Sequence, residues 1–305
     1  TKAAPLMTPI DADSVAQLVA PITPAEVIAS LSRATNTAPG EDRLQYRDLR
    51  RLDPTGETLA AIYSTCLSER RIPEKWKHSS TVLLYKKGDV NDIGNWRPIS
   101  IMVTTYKLYT SILSRRLNNC ISLKKKLNAN DLITSHEQLG FEQTEGCSEH
   151  IFELQTCLNH AARYKCNLVV CFLDLSNAFG LIPHQVIHLM LERLGLGGQF
   201  GDIVRDMYTN ATMSVKTSNT ETGSIAIGSG VKQGDPLSPT LFCIALEYLI
   251  RNIKHKLPDL GYEPEPGHRT RLLAYADDLA IVCKSRKEMQ LALNEVSALA
   301  QLCCL

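Results

Sequence analysis

The chain has 305 residues, 44% hydrophobic and 21% charged, which excludes a disordered or fibrous polypeptide and leaves room for two domains or one large lobed unit. Basic residues number 33 and acidic residues 32, a net charge of +1, so no uniformly cationic surface advertises a polyanionic partner. The distribution differs from the sum: Arg70 to Lys126 holds 13 basic residues against Glu74, Asp89 and Asp92 alone. The ten cysteines include no CxxC pair, and a chain of this size needs no staples, so they read as reduced and the protein as intracellular. No apolar run reaches membrane-spanning length and no signal segment opens the chain, so no membrane partner is expected.

In chain order, residues 1–22 read as an irregular lead-in rich in Pro, Ala and Thr. Thr23-Pro-Ala-Glu26 starts a helix: Thr23 caps, Pro24 suits the first turn and Glu26 stands at the capping-box position. Ala38-Pro-Gly-Glu-Asp is a turn, followed by a helix near Thr58–Arg70 with Leu59, Ile62, Tyr63 and Cys66 at helical spacing. Ser80 to Asp89 reads as a strand running into a charged turn, Asn95-Trp-Arg-Pro-Ile-Ser as a loop, and Tyr106–Leu117 and Cys147–Tyr164 as helices. Asn167–Asp174 is a strand apolar on both faces, which points to the centre of a buried sheet. Helices at His184–Leu194 and Gln199–Asn210, a hairpin within Met213–Gly230 and a long helix from Pro239 to Lys256 follow. Leu272–Val282 reads as a hairpin with a polar turn, and Glu288–Leu302 as an amphipathic helix. Helices mixed with hairpins make the fold α+β rather than a doubly wound sheet.

Two segments share one design. Leu168-Val-Val-Cys-Phe-Leu-Asp174 is an apolar strand ending on an acid, and Leu272 to Val282 carries Asp277 and Asp278 at its turn. An Asp-Asp turn alone is ordinary turn chemistry. Together, buried flanks bring two or three carboxylates to one sheet edge, where they repel unless a cation neutralises them. Hard oxygens suit magnesium, and carboxylates on two strands can hold two ions roughly 4 Å apart for phosphoryl transfer.

Phe172-Leu-Asp-Leu-Ser-Asn-Ala-Phe179, Gly230-Val-Lys-Gln-Gly-Asp-Pro-Leu-Ser-Pro-Thr-Leu-Phe242 and Tyr275-Ala-Asp-Asp278 resemble, in order and spacing, the motifs of reverse transcriptases, with the flavour of non-LTR, target-primed retrotransposons. Ala38-Pro-Gly-Glu-Asp, Leu84-Tyr-Lys-Lys-Gly-Asp, Asn95-Trp-Arg-Pro-Ile-Ser and Gln138-Leu-Gly-Phe-Glu-Gln-Thr-Glu-Gly-Cys resemble that family's finger motifs. The resemblance runs from about residue 24 to the end. It implies a right-hand polymerase: a basic fingers part over residues 23–165 and, over 166–305, a palm with a small antiparallel sheet packed on helices.

The resemblance further implies RNA-templated extension of a DNA 3′-hydroxyl with deoxynucleotides, with two Mg²⁺ ions, or Mn²⁺ in their place. Asp174, Asp277 and Asp278 would be the metal-binding carboxylates and the Leu175 carbonyl a further ligand. Phe179 would lie under the incoming sugar and exclude a 2′-hydroxyl, ordinary core packing being the plain alternative. Gln233 and Gly234 would contact nucleotide and template, and Lys86 or Lys87 together with Arg97 the triphosphate. Arg115, Arg116, Lys124 and Lys125 in the basic stretch are candidate nucleic-acid contacts. The partners expected are an RNA template, a DNA primer or nicked target DNA and dNTPs, and the full-length element protein is expected in the nucleus or in a cytoplasmic ribonucleoprotein.

Departures from the family pattern are Gly180, where an acid usually follows the aromatic, Asn177, where Lys is common, and the early Pro39-Gly-Glu-Asp-Arg turn. The absence of an initiator Met and the end at Cys303-Cys304-Leu305 lead to the expectation of a piece of a longer polypeptide, stopping before a thumb. The other readings are a domesticated polymerase fold that only binds RNA, and a group II intron maturase or RNA-dependent RNA polymerase. His184, His188 and Glu192, at i, i+4 and i+8, read as an exposed polar stripe rather than metal ligands, and Cys166 and Cys171 as core.

Overall fold

The structure, a computed structural model, describes residues 7, 9–127, 135–141, 146–175, 177–217 and 220–302. The lead-in contains a helix: α1 (Ala12–Val19) starts at Asp11, whose carboxylate accepts from the Ser14 amide, and buries Leu18. In α2 (Pro24–Arg33), Thr23 and Glu26 form the capping box that their spacing encodes. Next come α3 (Tyr46–Leu52), α4 (Glu57–Glu69) and α5 (Glu74–Lys77).

β1 (His78–Tyr85) pairs antiparallel with β2 (Trp96–Ile101), so the expected loop from Asn95 to Ser100 is mostly strand. Pro98 is tolerated there because β2 lies at the sheet edge. α6 (Thr104–Leu127) and α7 (Gly146–Tyr164) follow, then β3 (Val169–Asp174), the short α8 (Ala178–Leu181), α9 (His184–Arg193) and α10 (Gln199–Tyr208). β4 (Thr212–Lys216) pairs antiparallel with β5 (Ile225–Ala226) and parallel with β1. The resulting sheet, β2-β1-β4-β5, draws strands from both halves of the chain. A division at residue 165 therefore does not follow the strand pairing.

α11 (Ser238–Lys256) is buried along most of its length, which explains its apolar character all round. β6 (Tyr262–Glu265) and β7 (His268–Thr270) form a small ribbon. β8 (Leu272–Tyr275), β9 (Asp278–Cys283) and β3 make an antiparallel sheet in the order β3-β9-β8, and α12 (Arg286–Leu302) ends the described chain. β9, not β3, is central. Each face of β3 meets a helix layer near the start of the strand, while Phe172, on the α7 side, is exposed. Val170 joins Cys157 and Ala161 of α7 on one side, while Val169, Cys171 and Leu173 pack on the main core with Met289 and Val296 of α12 on the other.

The architecture is α+β, and no single helix among the described residues is long and apolar enough to cross a membrane. No disulfide joins the described cysteines. Cys171 packs against the core as expected, but Cys166 is exposed, because it follows the end of α7.

Candidate active site

β3 ends and β9 begins on an acid, and the register makes Asp174 and Asp278 direct partners across the strands. Directly paired residues project to the same face of a sheet. The β8–β9 hairpin closes through Tyr275 opposite Asp278, with Ala276 and Asp277 as the two turn residues. Asp174 and Asp278 are exposed and Asp277 is half-buried. Burial raises the Asp277 carboxyl above its usual pKa of 3.8, the charges of Asp278 and Asp174 add to the shift, and Arg97 opposes it. Asp277 thus senses the charges of Asp174 and Asp278, and Arg97 is close enough to be felt.

Among the described residues no group of three or more His, Cys, Asp or Glu is gathered as a ready-made metal cage. Carboxylates on one face with open positions suit an ion that keeps most of its shell for substrate oxygens, the habit of magnesium. The Leu175 carbonyl faces a long contact from the Ala178 amide, 3.4 Å, and so retains acceptor capacity.

Phe179 follows Asn177, which takes the left-handed conformation (φ 51°) that Asn tolerates. The Phe179 ring stacks on Phe242 at 4.2 Å and meets the edge of Phe141 at 6.2 Å. Its carbonyl accepts from the Val231 amide (2.7 Å), and a Cβ on Gly230 would stand 2.4 Å from the Gly180 carbonyl. Gly180 itself is partly buried against this strand-like contact.

Gln233 and Gly234 are held against β2. The Ser100 amide donates to the Gln233 carbonyl at 2.8 Å, and at Gly234 (φ 112°) a Cβ would sit 2.8 Å from the Ser100 carbonyl. Gly234 is thus explained by backbone contact within the chain. Beside it Asp235 is fully buried, accepting from Tyr106 Oη (2.9 Å) and the Leu237 amide (3.0 Å). Lys232, also buried, donates to the Lys77 carbonyl (3.0 Å), and desolvation pulls its ammonium down to about 8.

The basic stretch divides in two. Lys86, Lys87 and Arg97 are exposed around the β1–β2 hairpin, Arg97 lying opposite Leu84. Arg116 is a structural tie instead of a nucleic-acid contact: it donates to Glu26 at 2.7 and 2.8 Å and to the carbonyls of Leu18 (3.1 Å), Ala20 (2.5 Å) and Pro21 (3.1 Å), holding α1 and α2 on α6. Arg115 is partly buried and donates to Ser30 Oγ at 3.1 Å. The side chains of Lys124 and Lys125 lie outside the described residues. Lys77 and Lys107 are buried, Lys77 against Glu74 and Asp206 and Lys107 against Thr37 and Ala38. His184 bonds the Gly230 carbonyl and packs on Tyr208, and His184 and His188 are both partly buried, so they are framework rather than an exposed stripe.

Residues 84–303 match the reverse transcriptase (RNA-dependent DNA polymerase) family. The transposon TX1 uncharacterized 149 kDa protein of Xenopus laevis is 29% identical over 278 residues, 90% of this chain and 20% of that protein. A Pol polyprotein from a type-1 retrotransposable element R2 of Popillia japonica is 27% identical over 263 residues, 86% of this chain and 35% of that protein. The RNA-directed DNA polymerase from mobile element jockey of Drosophila melanogaster is 27% identical over 252 residues, 82% of this chain and 26% of that protein. The chain therefore spans between a fifth and about a third of the length of these relatives. The family match takes in both acid-bearing segments and well over half of the residues, and the chain belongs to the reverse transcriptase (RNA-dependent DNA polymerase) family.

Proposed function

We propose that this chain is the polymerase segment of a non-LTR retrotransposon reverse transcriptase, extending a DNA 3′-hydroxyl with deoxynucleotides on an RNA template. The observation that carries the reading is the cross-strand pair Asp174 and Asp278 with Asp277 on the adjoining turn. In right-hand terms, β1 and β2 belong to the fingers and the β3-β9-β8 sheet to the palm.

Asp174, Asp277, Asp278 and the Leu175 carbonyl would hold two magnesium ions, or manganese in their place. Bound there, such ions lower the pKa of the primer hydroxyl and stabilise charge on the phosphoryl group in transfer. Arg97, exposed and within electrostatic reach of Asp277, would balance charge on the triphosphate, with Lys86 or Lys87 beside it. The Phe179 ring, held by Phe242 and Phe141, would lie beneath the incoming sugar and leave no room for a 2′-hydroxyl. Gln233 and Gly234 would present backbone and side chain to nucleotide and template. The primer would be nicked target DNA and the template the element's own RNA, and the full-length element protein would be found in the nucleus or in a cytoplasmic ribonucleoprotein.

Extension of an annealed DNA primer on RNA, with dNTPs and magnesium, tests the reading. Template-dependent product supports it, whereas RNA binding without any product would leave a binding-only polymerase fold.

A further inference from the structure

The turn that carries Asp277 is conformationally demanding. Ala276 lies in the left-handed region at φ 56° and is buried, a placement that costs a residue with a Cβ free energy and persists only where surroundings enforce it. One side chain bonds both of its peptide groups. Gln138, which has no exposure to solvent, accepts from the Ala276 amide at 2.9 Å through Oε1 and donates from Nε2 to the Ala276 carbonyl at 3.2 Å. Its Oε1 also accepts from the Gly140 amide at 2.8 Å. One carboxamide therefore engages both peptide groups of the strained residue directly before Asp277.

The segment bearing Gln138 is itself fixed from three sides. It pairs with β8, the Ala274 amide donating to the Glu137 carbonyl (2.7 Å) and the Leu139 amide to the Ala274 carbonyl (3.0 Å). Glu247 of α11, fully buried, accepts from the amide and hydroxyl of Ser135 at 2.8 and 2.9 Å. Lys254, two turns further along the same face of α11, pairs with Glu137 at 2.8 Å. At Gly140 a Cβ would fall 2.3 Å from the Ala276 nitrogen, so the backbone lies directly on the turn. The next residue, Phe141, meets the Phe179 ring.

We propose that Gln138 is a positioning residue for catalysis: its carboxamide clamps the Ala276–Asp277 turn, so that residues 135–141, anchored on α11, set Asp277 relative to Asp174 and to Phe179. The proposal rests on the polymerase reading for its catalytic consequence, but the clamp exists independently of it. The clamp is specific to Gln at this position, because the site needs an acceptor for two amides and a donor for one carbonyl on a single side chain.

The test uses the 305-residue chain with Gln138→Met, which keeps length and removes the hydrogen bonds, and Gln138→Glu, which keeps the acceptor. Hydrogen exchange should be about tenfold or more faster at the Ala276, Asp277 and Gly140 amides of Gln138→Met, while amides of α11 and α4 stay unchanged. On RNA-templated primer extension kcat should fall about a hundredfold with KM for the primer-template unchanged, as for a displaced reacting group. Gln138→Glu should recover part of both losses, and more so toward low pH, where a protonated carboxyl again donates to the Ala276 carbonyl. Wild-type exchange at the turn in a folded Gln138→Met protein overturns the clamp, as does a loss spread evenly over all amides. Should Gln138→Met not fold, the pH-dependent recovery in Gln138→Glu decides, and its absence overturns the proposal. Failure of the wild-type chain to extend any primer counts against the polymerase reading alone, because exchange at the turn still judges the clamp.

Discussion

Asp174 and Asp278 are opposite one another in the β3–β9 ladder, a like-charged cross-strand pair placed where the sheet ends. Like charges directly opposite destabilise a sheet by roughly 0.2–1 kcal/mol. Asp174→Asn should therefore raise the melting temperature of the chain at low salt and without divalent ions, by an amount equivalent to about half a kcal/mol. Magnesium should raise the wild-type melting temperature and leave that of the variant nearly unchanged. A variant less stable than wild type would show that the pair is not held under repulsion.

Phe179 stacks on Phe242, so packing and the proposed steric selection fall on one ring. Phe179→Val should cost about 1–3 kcal/mol of stability by opening space over Phe242. It should also relax discrimination against ribonucleotides by about tenfold or more, the gain coming from the room given to a 2′-hydroxyl. Competition between dNTP and rNTP in single-nucleotide extension measures this. Loss of stability with unaltered discrimination would make the ring a core residue only.

Arg116 of α6 holds α1 through the Leu18 carbonyl and α2 through Glu26. Burial works against ionisation of Glu26, but hydrogen bonds from Arg116 and Thr23 outweigh it and bring the carboxyl from 4.5 down to about 2. A carboxyl depressed in the folded state contributes stability above its unfolded pKa and loses it as pH falls. The loss should span about pH 4.5 to 2, and Glu26→Gln should flatten that part of a melting-temperature profile. An unaltered acid limb would contradict the tie.

Exposed in the basic stretch, Lys86 and Lys87 should meet nucleic-acid phosphates in addition to the triphosphate role proposed for one of them. Replacing both with Ala should weaken RNA–DNA binding and flatten the slope of log affinity against log salt by up to about two. Arg116→Ala should destabilise the fold without changing the slope of the molecules that remain folded. The reverse pattern, read from binding titrations at several salt concentrations, would return Arg116 to the nucleic-acid surface.

The features legible in the sequence are the local ones. Thr23, Pro24 and Glu26 specify a helix start within four positions, and the structure contains that capping box. Strands that end on Asp174 and turn at Asp277 announce an acidic sheet edge, because burial of the flanks leaves the acids nowhere else to go. Arg116 was not legible as a structural tie, since an arginine in a basic run has no local sign that carbonyls far upstream will enclose it. Nor was the edge position of β3: two apolar faces report helices above and below, not neighbours on both sides. The proposed role of Gln138 depends on a contact with Ala276, 138 residues away, and no spacing rule reaches that far. Lys232 and Asp235 lie within a recognised motif, yet their burial follows from Tyr106 and Lys77 in the other half of the chain.

Primer extension by Asp277→Asn tests the central claim most directly. Asp277 is the half-buried member of the acid group and the one whose proton affinity responds to the other two. With folding verified by melting temperature and RNA binding retained, Asn at this turn should abolish magnesium-dependent incorporation of deoxynucleotides on an RNA template that the wild-type chain supports. Incorporation by the folded variant at the wild-type rate would contradict the assignment of this sheet edge as the catalytic centre.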